Sequence, residues 1–585
     1  MSTNIIGISA LFHDAACCVL QDGVLTAAAE EERFTRMKAD PSIPAEAFKY
    51  CLEQAGLTLP EIDCIAYYED PEKKLSRQLW SGVLGNTPGL LNTIEPNMAE
   101  RQIRDVIGFE GPIMYIDHHL SHAASSFFFS GFDESAILTV DGVGEWATTT
   151  YGFGSDKSIE LFEQVDFPDS IGLLYSTITS YLGFGVNDGE YKVMGLAPYG
   201  KPVYADKIRQ LILPGDDGQY SLDMKYFGFC AGKKMYSQHF AELFGQAPRK
   251  KDSSMDQFHK DVARSMQVVL EELLLEKAIY LHKRTGAENL CMAGGVALNC
   301  VANGHVLRNG PFKKLFVQPA ANDAGGALGA AAMAHVKLTG EKPSAKKMDN
   351  VYLGPSFSSK SVHAMLQSSG IKYHDHHSSV AELVAATASR IAEGKVIGWF
   401  QGRMEFGPRS LGARSILADP RSPIMRDRIN AMVKKREGFR PFAPAVLEHK
   451  AQEHFDLDHQ SPFMLETCQV ISALDLPAIT HVDGSARVQT VNEKDNKRFA
   501  ALLAAFDTLT GCPILLNTSF NIKGEPIVCS PEDALSCFIT TDIDCLVIED
   551  FIIDRQSNQF DLLSLILTNE PESTSAIQHD VYTFV

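Results

Sequence analysis

The stretch IMYIDHHLSHAASSFFFSGFDESAILTVDG, residues 113–142, decides the fold class. Apolar Ile113 to Ile116 reads as a strand, His118 to Phe129 as a helix stopped at Gly131, and Ala136 to Val140 as a second strand ending on Asp141-Gly142. Strand, helix and strand in that order, with polar residues at the strand ends, is the alternation of an α/β sheet.

The same reading extends outward. Towards the N-terminus, strands Ile5 to Ala10, Ala16 to Leu20 and Val24 to Ala28 are separated by turns at Phe12-His13-Asp14 and Asp22-Gly23. Towards the C-terminus, strand Asn289 to Met292 runs into Gly294-Gly295 and a helix. Strand Lys314 to Val317 runs into Asp323, Gly325-Gly326 and another helix. Ala324 to Val336 is Gly/Ala-rich and too short to span a bilayer, so it is expected to be a buried helix. Residues 337–350 carry Lys, Pro and Ser with little apolar content and are read as a linker. A second α/β pattern begins at Val396 to Phe400 and continues to about Asp554. A chain of 585 residues exceeds what one core supports, roughly 250–300 residues. Two domains are therefore expected, 1–345 and 351–585.

A formal net charge of -20 repels a phosphate backbone, so nucleic acid is not an expected partner. The twelve cysteines show no C-x-x-C pair and are read as reduced, in a cytoplasmic context. No signal peptide or bilayer-spanning stretch is apparent, so no membrane partner is expected.

His118 and His122 are four apart on the expected helix and share a face, so both imidazoles can reach one metal ion. Asp141 and Asp323, at or after strand ends, are where an α/β sheet presents further oxygen ligands. Two nitrogens with carboxylates suit iron, manganese or zinc. The spacing is equally met by histidines that merely satisfy a partly buried helix. Gly294-Gly295, followed by Asn299, and Gly325-Gly326 lie at strand-to-helix turns where backbone N–H groups can approach a phosphate, or where glycine serves packing alone. In the second half, GRMEFGPRSLGAR (402–414), Lys434-Lys435-Arg436 and Phe439-Arg440-Pro441 gather cations on turns. That placement suits a polyanion better than helix-surface pairing does. Asn517 and Ser519 follow the apolar strand Pro513 to Leu516 and can orient a phosphate or ribose, or simply form a turn.

Across nearly its whole length the chain resembles the NodU/CmcH/TobZ-type O-carbamoyltransferases of antibiotic and nodulation-factor biosynthesis. The resemblance rests on FHDAA, RMKADPSIP, DHHLSHA, TVDGVGEW, EYKVMGLAPYGKP, GGVALN, NDAGGALGAA, EFGPRSLGARSI, KKREGFRPFAP, HVDGSARVQTV and LNTSFN. It implies an α/β fold with an actin-like, ASKHA-type N-terminal domain followed by a YrdC-like domain that makes carbamoyladenylate. It further implies that His118, His122, Asp141 and Asp323 hold Fe2+, and that Lys38, Gly294, Gly295 and Asn299 bind the adenylate. By the same resemblance His13 is the base acting on the acceptor hydroxyl. Arg409, Lys434, Arg440, Arg487, Asn517 and Ser519 are implied to hold carbamoyl phosphate and ATP, the latter with Mg2+. The acceptor is expected to be a small molecule, with Ser170 to Tyr175 lining its pocket. Two rivals stand beside this reading, a tRNA-modifying transferase and a non-catalytic nucleotide-binding regulator.

Overall fold

The computed structural model describes residues 2–80, 95, 97–230, 234–251, 253–343, 347–434 and 437–560. Lys435, Arg436 and the apolar stretch from Leu562 to Leu567 lie outside these. Residues Met1–Glu32 and Ala39–Met348 belong to one compact unit. Arg33–Lys38 group instead with the second unit, which begins at Asp349.

The first unit holds two five-stranded sheets built to one plan. In the first, β1 (Asn4–Ser9), β2 (Ala16–Gln21), β3 (Val24–Glu30), β4 (Cys64–Tyr67) and β5 (Ile113–Tyr115) are ordered β3-β2-β1-β4-β5. The second contains β6 (Glu134–Val140), β7 (Ala147–Ser155) and β8 (Ser158–Asp166). After a small hairpin of β9 (Ile212–Pro214) and β10 (Tyr220–Leu222) it is completed by β11 (Asn289–Ala293) and β12 (Lys314–Val317), in the order β12-β11-β6-β7-β8. In each sheet the first three strands form an antiparallel meander, and the last two add parallel to the meander's first strand. This duplicated α/β plan is the one the actin-like expectation requires. β1, β6 and β11 are apolar and buried along most of their length, as strands covered on both faces must be.

Two helices carry the polar residues that matter below. One, His118–Ser130, follows β5; the other, Asp323–Thr339, follows β12. The second is buried through its first thirteen residues because its glycines allow close approach. A Cβ on Gly326 would sit 2.8 Å from the Tyr68 ring, and one on Gly329 would overlap the Ser121 carbonyl of the other helix. Gly325 and Gly326 are therefore packing glycines within the helix, not a ligand-cradling turn. The helix also continues through Thr339, so residues 337–339 are its last turn and not linker.

The second unit is built on one eight-stranded mixed sheet. At its centre Ile397–Phe400 pairs with Arg414–Ala418, which pairs in turn with Ile514–Ser519. A continuous apolar core including Trp399, Phe499, Phe506 and Phe538 packs against it. None of the twelve cysteines is in a disulfide, and all but Cys230 are buried. No described helix is long and apolar enough to cross a membrane.

Candidate functional site

In the first unit His118 and His122 lie in the first turns of their helix, with their Nε2 atoms 3.1 Å apart. Asp141, at the end of β6, places Oδ2 3.4 Å from His118 Nε2. Asp323, the first residue of the other helix, places Oδ1 3.7 Å from His118 Nε2 and 3.6 Å from His122 Nε2. All four side chains are buried, and their four nearest donor atoms lie within 4.8 Å of one another. With metal–ligand bonds of about 2.0–2.2 Å, neighbouring ligand atoms fall roughly 3–3.5 Å apart, so the group fits one ion. Asp323 Oδ1, which faces both Nε2 atoms, is buried without a hydrogen-bond partner. Buried polar atoms left so mark a place for water or an ion.

The electrostatics agree. Burial disfavours the charge of Asp141, yet the hydrogen bond from His118 and the nearby His122 hold its carboxyl well below the usual range. Burial likewise opposes a protonated His118, but Asp323 and Asp141 push its pKa up to about 9. Two carboxylates facing two imidazoles make a cavity that favours positive charge.

The surroundings hold these four side chains in place. Gly295 N donates to Asp141 Oδ1 at 2.7 Å, leaving Oδ2 towards His118. Gly294 has φ +93°, and a Cβ there would overlap the Val140 carbonyl, so only glycine fits between β6 and the turn after β11. Asn299 caps the helix Cys300–Asn309 through Ala302 N at 3.0 Å. Its carboxamide is paired in both directions with Gln267, at 3.0 and 3.1 Å. Tyr68 Oη donates to Asp323 Oδ2 at 3.4 Å. His119 is buried and bonded through Nδ1 to Thr139 Oγ1 at 2.6 Å. Ser170 to Tyr175 are buried; Ser170 Oγ donates to the Gly142 carbonyl at 2.7 Å and so supports the turn after β6.

His13, in the turn between β1 and β2, is brought to the same place. Its Nδ1 is 3.0 Å from Asp14 Oδ2 and 4.0 Å from Asp323 Oδ2. Burial disfavours its protonated form, but the charges of Asp323 and Asp14 outweigh that and push its pKa up to about 9. Lys38 falls in the segment that groups with the second unit.

The second unit carries a separate polar network. Lys434 Nζ donates to Ser519 O and Oγ at 2.6 and 3.1 Å, and to Asn521 O and Oδ1 at 3.0 and 2.7 Å. These four acceptors are neutral oxygens. Asn517 Nδ2 donates to Ser410 O at 3.2 Å and to Gln489 Oε1 at 2.8 Å. Arg409 is thus one residue, and Arg487 two residues, from groups joined to the strand end that bears Ser519. Arg440 lies 3.8 Å from Glu437. Arg414, from the same cationic motif as Arg409, has another role. It is fully buried, lies 3.6 Å from the centre of the Phe400 ring, and donates to the carbonyls of Gln401, Gly402, Ala413 and Pro355. It is a structural arginine.

Sequence reasoning missed Glu145 and Glu405. Glu145 Oε1 accepts from the backbone N–H of His118 at 2.8 Å and of Asp70 at 2.7 Å. Burial pushes its pKa up to about 7. Glu405 Oε1 accepts from Leu411 N, Ala413 N and Arg414 N at 2.7, 2.7 and 3.2 Å, and so folds the loop that presents Arg409. Both stand inside the quoted motifs. Their only local signal is a carboxylate among glycines, which does not tell a ligand from a loop anchor.

Family models described as carbamoyltransferase N-terminus and carbamoyltransferase C-terminus match residues 4–332 and 388–555. The chain belongs to the carbamoyltransferase family. This carbamoyltransferase is 45% identical to protein sll1178 of Synechocystis sp. (strain ATCC 27184 / PCC 6803 / Kazusa) over 94% of its own length and 97% of the relative's. It is 40% identical to nodulation protein NolNO of Sinorhizobium fredii (strain NBRC 101917 / NGR234), over 98% and 83% respectively. Among solved structures, HypF of T. kodakarensis is similar at 14% identity and a TM-score of 0.33, over 58% of this chain and 48% of that one. Membership makes the protein an enzyme that transfers carbamoyl groups, which removes the reading as a non-catalytic regulator.

Proposed function

We propose that this carbamoyltransferase is an ATP-dependent O-carbamoyltransferase with its two half-reactions in two domains. In the YrdC-like C-terminal domain, 351–585, carbamoyl phosphate, ATP and one water give carbamoyladenylate, phosphate and pyrophosphate. In the ASKHA-type N-terminal domain, 1–345, the carbamoyl group passes to a hydroxyl of a small-molecule acceptor and AMP leaves. The observation that carries this reading is the meeting of His118, His122, Asp141, Asp323 and His13 in one unit, while the other unit holds a separate cationic network.

For activation, Arg409, Lys434, Arg440 and Arg487 neutralise the phosphates, and Asn517 and Ser519 orient them. Guanidinium and ammonium groups preset in a folded loop stabilise charge as it shifts to the leaving pyrophosphate without reorganising. ATP is taken with Mg2+ at this step. For transfer, His118, His122, Asp141 and Asp323 would hold a divalent metal, Fe2+ by family resemblance, which supplies Lewis acidity when bound. Gly294, Gly295 and Asn299 shape the adenylate pocket beside it. In the neutral form of His13, Asp14 holds the ring through Nδ1, so Nε2 is the nitrogen that takes the acceptor proton. A cytoplasmic location is part of this reading, taken from cysteines that show no C-x-x-C pair, and secondary-metabolite acceptors follow from the family.

The test separates the steps. Arg440→Ala should slow pyrophosphate release on the order of a hundredfold, from a loss of roughly 2–4 kcal/mol of transition-state stabilisation, and should regain transfer when synthetic carbamoyladenylate is supplied. His13→Ala should keep pyrophosphate release and lose transfer by roughly two to four orders of magnitude, with no rescue. The opposite pattern for His13→Ala would overturn the assignment.

A further inference from the structure

The helix that supplies two of the four ligands begins on a ligand. His118 is its first residue, and the preceding Asp117 makes no side-chain cap. Asp117 pairs instead with Lys73 Nζ at 2.7 Å. The first N–H groups of a helix have no partner within it and must be met from elsewhere. Here Glu145 meets the N–H of His118 with both oxygens, at 2.8 and 3.1 Å, from 27 residues further along the chain.

Glu145 ends the turn that Asp141 begins. That turn is held by Asp141 N to Thr148 O and Gly144 N to Ala147 O, each 2.9 Å. Between them Gly144 lies against the His118 ring, where a Cβ would come within 2.9 Å of Cδ2. One short turn therefore supplies a ligand, presses on a second ligand's ring and anchors that ligand's backbone. Glu145 Oε1 also takes the N–H of Asp70, which leads into the helix Pro71–Trp80. A carboxylate at this helix end is favoured by the helix dipole as well as by its hydrogen bonds.

We infer that Glu145 is a positioning residue for the metal site: it sets His118, and through the helix His122, in register with Asp141. This rests on the proposed metal site. Neither Glu145 oxygen belongs to the ligand group, so its effect travels through the His118 backbone.

The experiment is Co2+ titration of the full-length, metal-stripped protein, following the visible ligand-field band and the dissociation constant, with thermal unfolding of each metal-free variant alongside. Wild type should bind one equivalent. Glu145→Ala should bind roughly 10- to 100-fold more weakly, the range for loss of a group that orients a ligand, and with a shifted band. Glu145→Gln, which keeps one accepting oxygen, should recover part of both. If Glu145→Ala lowers the unfolding temperature but leaves affinity and band at wild-type values, the residue only stabilises the fold and the inference is wrong. Should Glu145→Ala fail to fold, Glu145→Gln decides by the same readings, and wild-type binding there overturns the inference. A wild-type protein that binds no Co2+, with His118→Ala indistinguishable from it, overturns the metal site itself.

Discussion

Gly329 is where the helices that carry Asp323 and the His118/His122 pair touch, and a single methyl group there should disturb the site from within the scaffold. A Cβ at this position would lie 2.7 Å from the Ser121 carbonyl carbon and 2.8 Å from Ser125 N, both backbone atoms that no rotamer change can move. Carbon contacts relax at about 3.5–4.0 Å, so Gly329→Ala must drive the helices apart by on the order of 1 Å. Overpacking of this kind costs about 1–3 kcal/mol, offset by about 1 kcal/mol of better helix propensity. The displacement separates Asp323 from His118 and His122, which lie one turn before Ser121 and directly after it on the other helix. Metal affinity should therefore fall roughly tenfold or more while the protein still folds. Differential scanning calorimetry of the metal-free protein and Co2+ titration read the two effects. Wild-type values for both would show that the helices do not cross as described.

Two further outcomes follow from buried charges. Lys277 is fully buried against the Tyr220 ring and donates to the Gly218 carbonyl at 3.2 Å; burial lowers its pKa from 10.5 to about 8. The folded protein then binds fewer protons than the unfolded chain between about pH 8 and 10.5, so stability rises with pH across that window. Below it, protonated Lys277 is a constant penalty on the order of 3 kcal/mol. Lys277→Met should raise the unfolding temperature at pH 7 and flatten the rise, since the Tyr151 hydroxyl still serves the Gly218 carbonyl; an unchanged pH profile would refute this. In the second unit, Glu405→Ala should strand three backbone donors at about 1–3 kcal/mol for each that stays buried and loosen the Arg409 loop. Carbamoyladenylate formation should fall while transfer from supplied adenylate persists; equal loss of both would count against the loop's role.

Much of the first unit was legible because its signals are local. The i, i+4 spacing places His118 and His122 on one helix face whatever the helix packs against. Apolar strands ending on Asp141 and preceding Asp323 mark the sheet ends where side chains converge. The cationic motif was legible as charge. Its division into Arg409 beside the polar network and Arg414 locked over Phe400 was not, because both read as arginine among glycines.

Only the tertiary structure decided which distant groups meet. Asp323 and His13 reach the histidines through the packing of a glycine-rich helix against β1 and the histidine helix, where Gly7 and Gly329 admit backbone at close range. Glycine in a sequence does not say whether it turns the chain, cradles a ligand or admits a neighbour, and at Gly325 and Gly326 the last role won. Arg33–Lys38 likewise joins the second unit through Arg36, which donates to the carbonyls of Pro526 and Ile527 at 2.9 and 2.7 Å. No periodicity records that excursion. Residue spacing thus determined which side chains share an element. Contacts between residues far apart in the chain determined which elements share a site, because they depend on packing that leaves no local pattern.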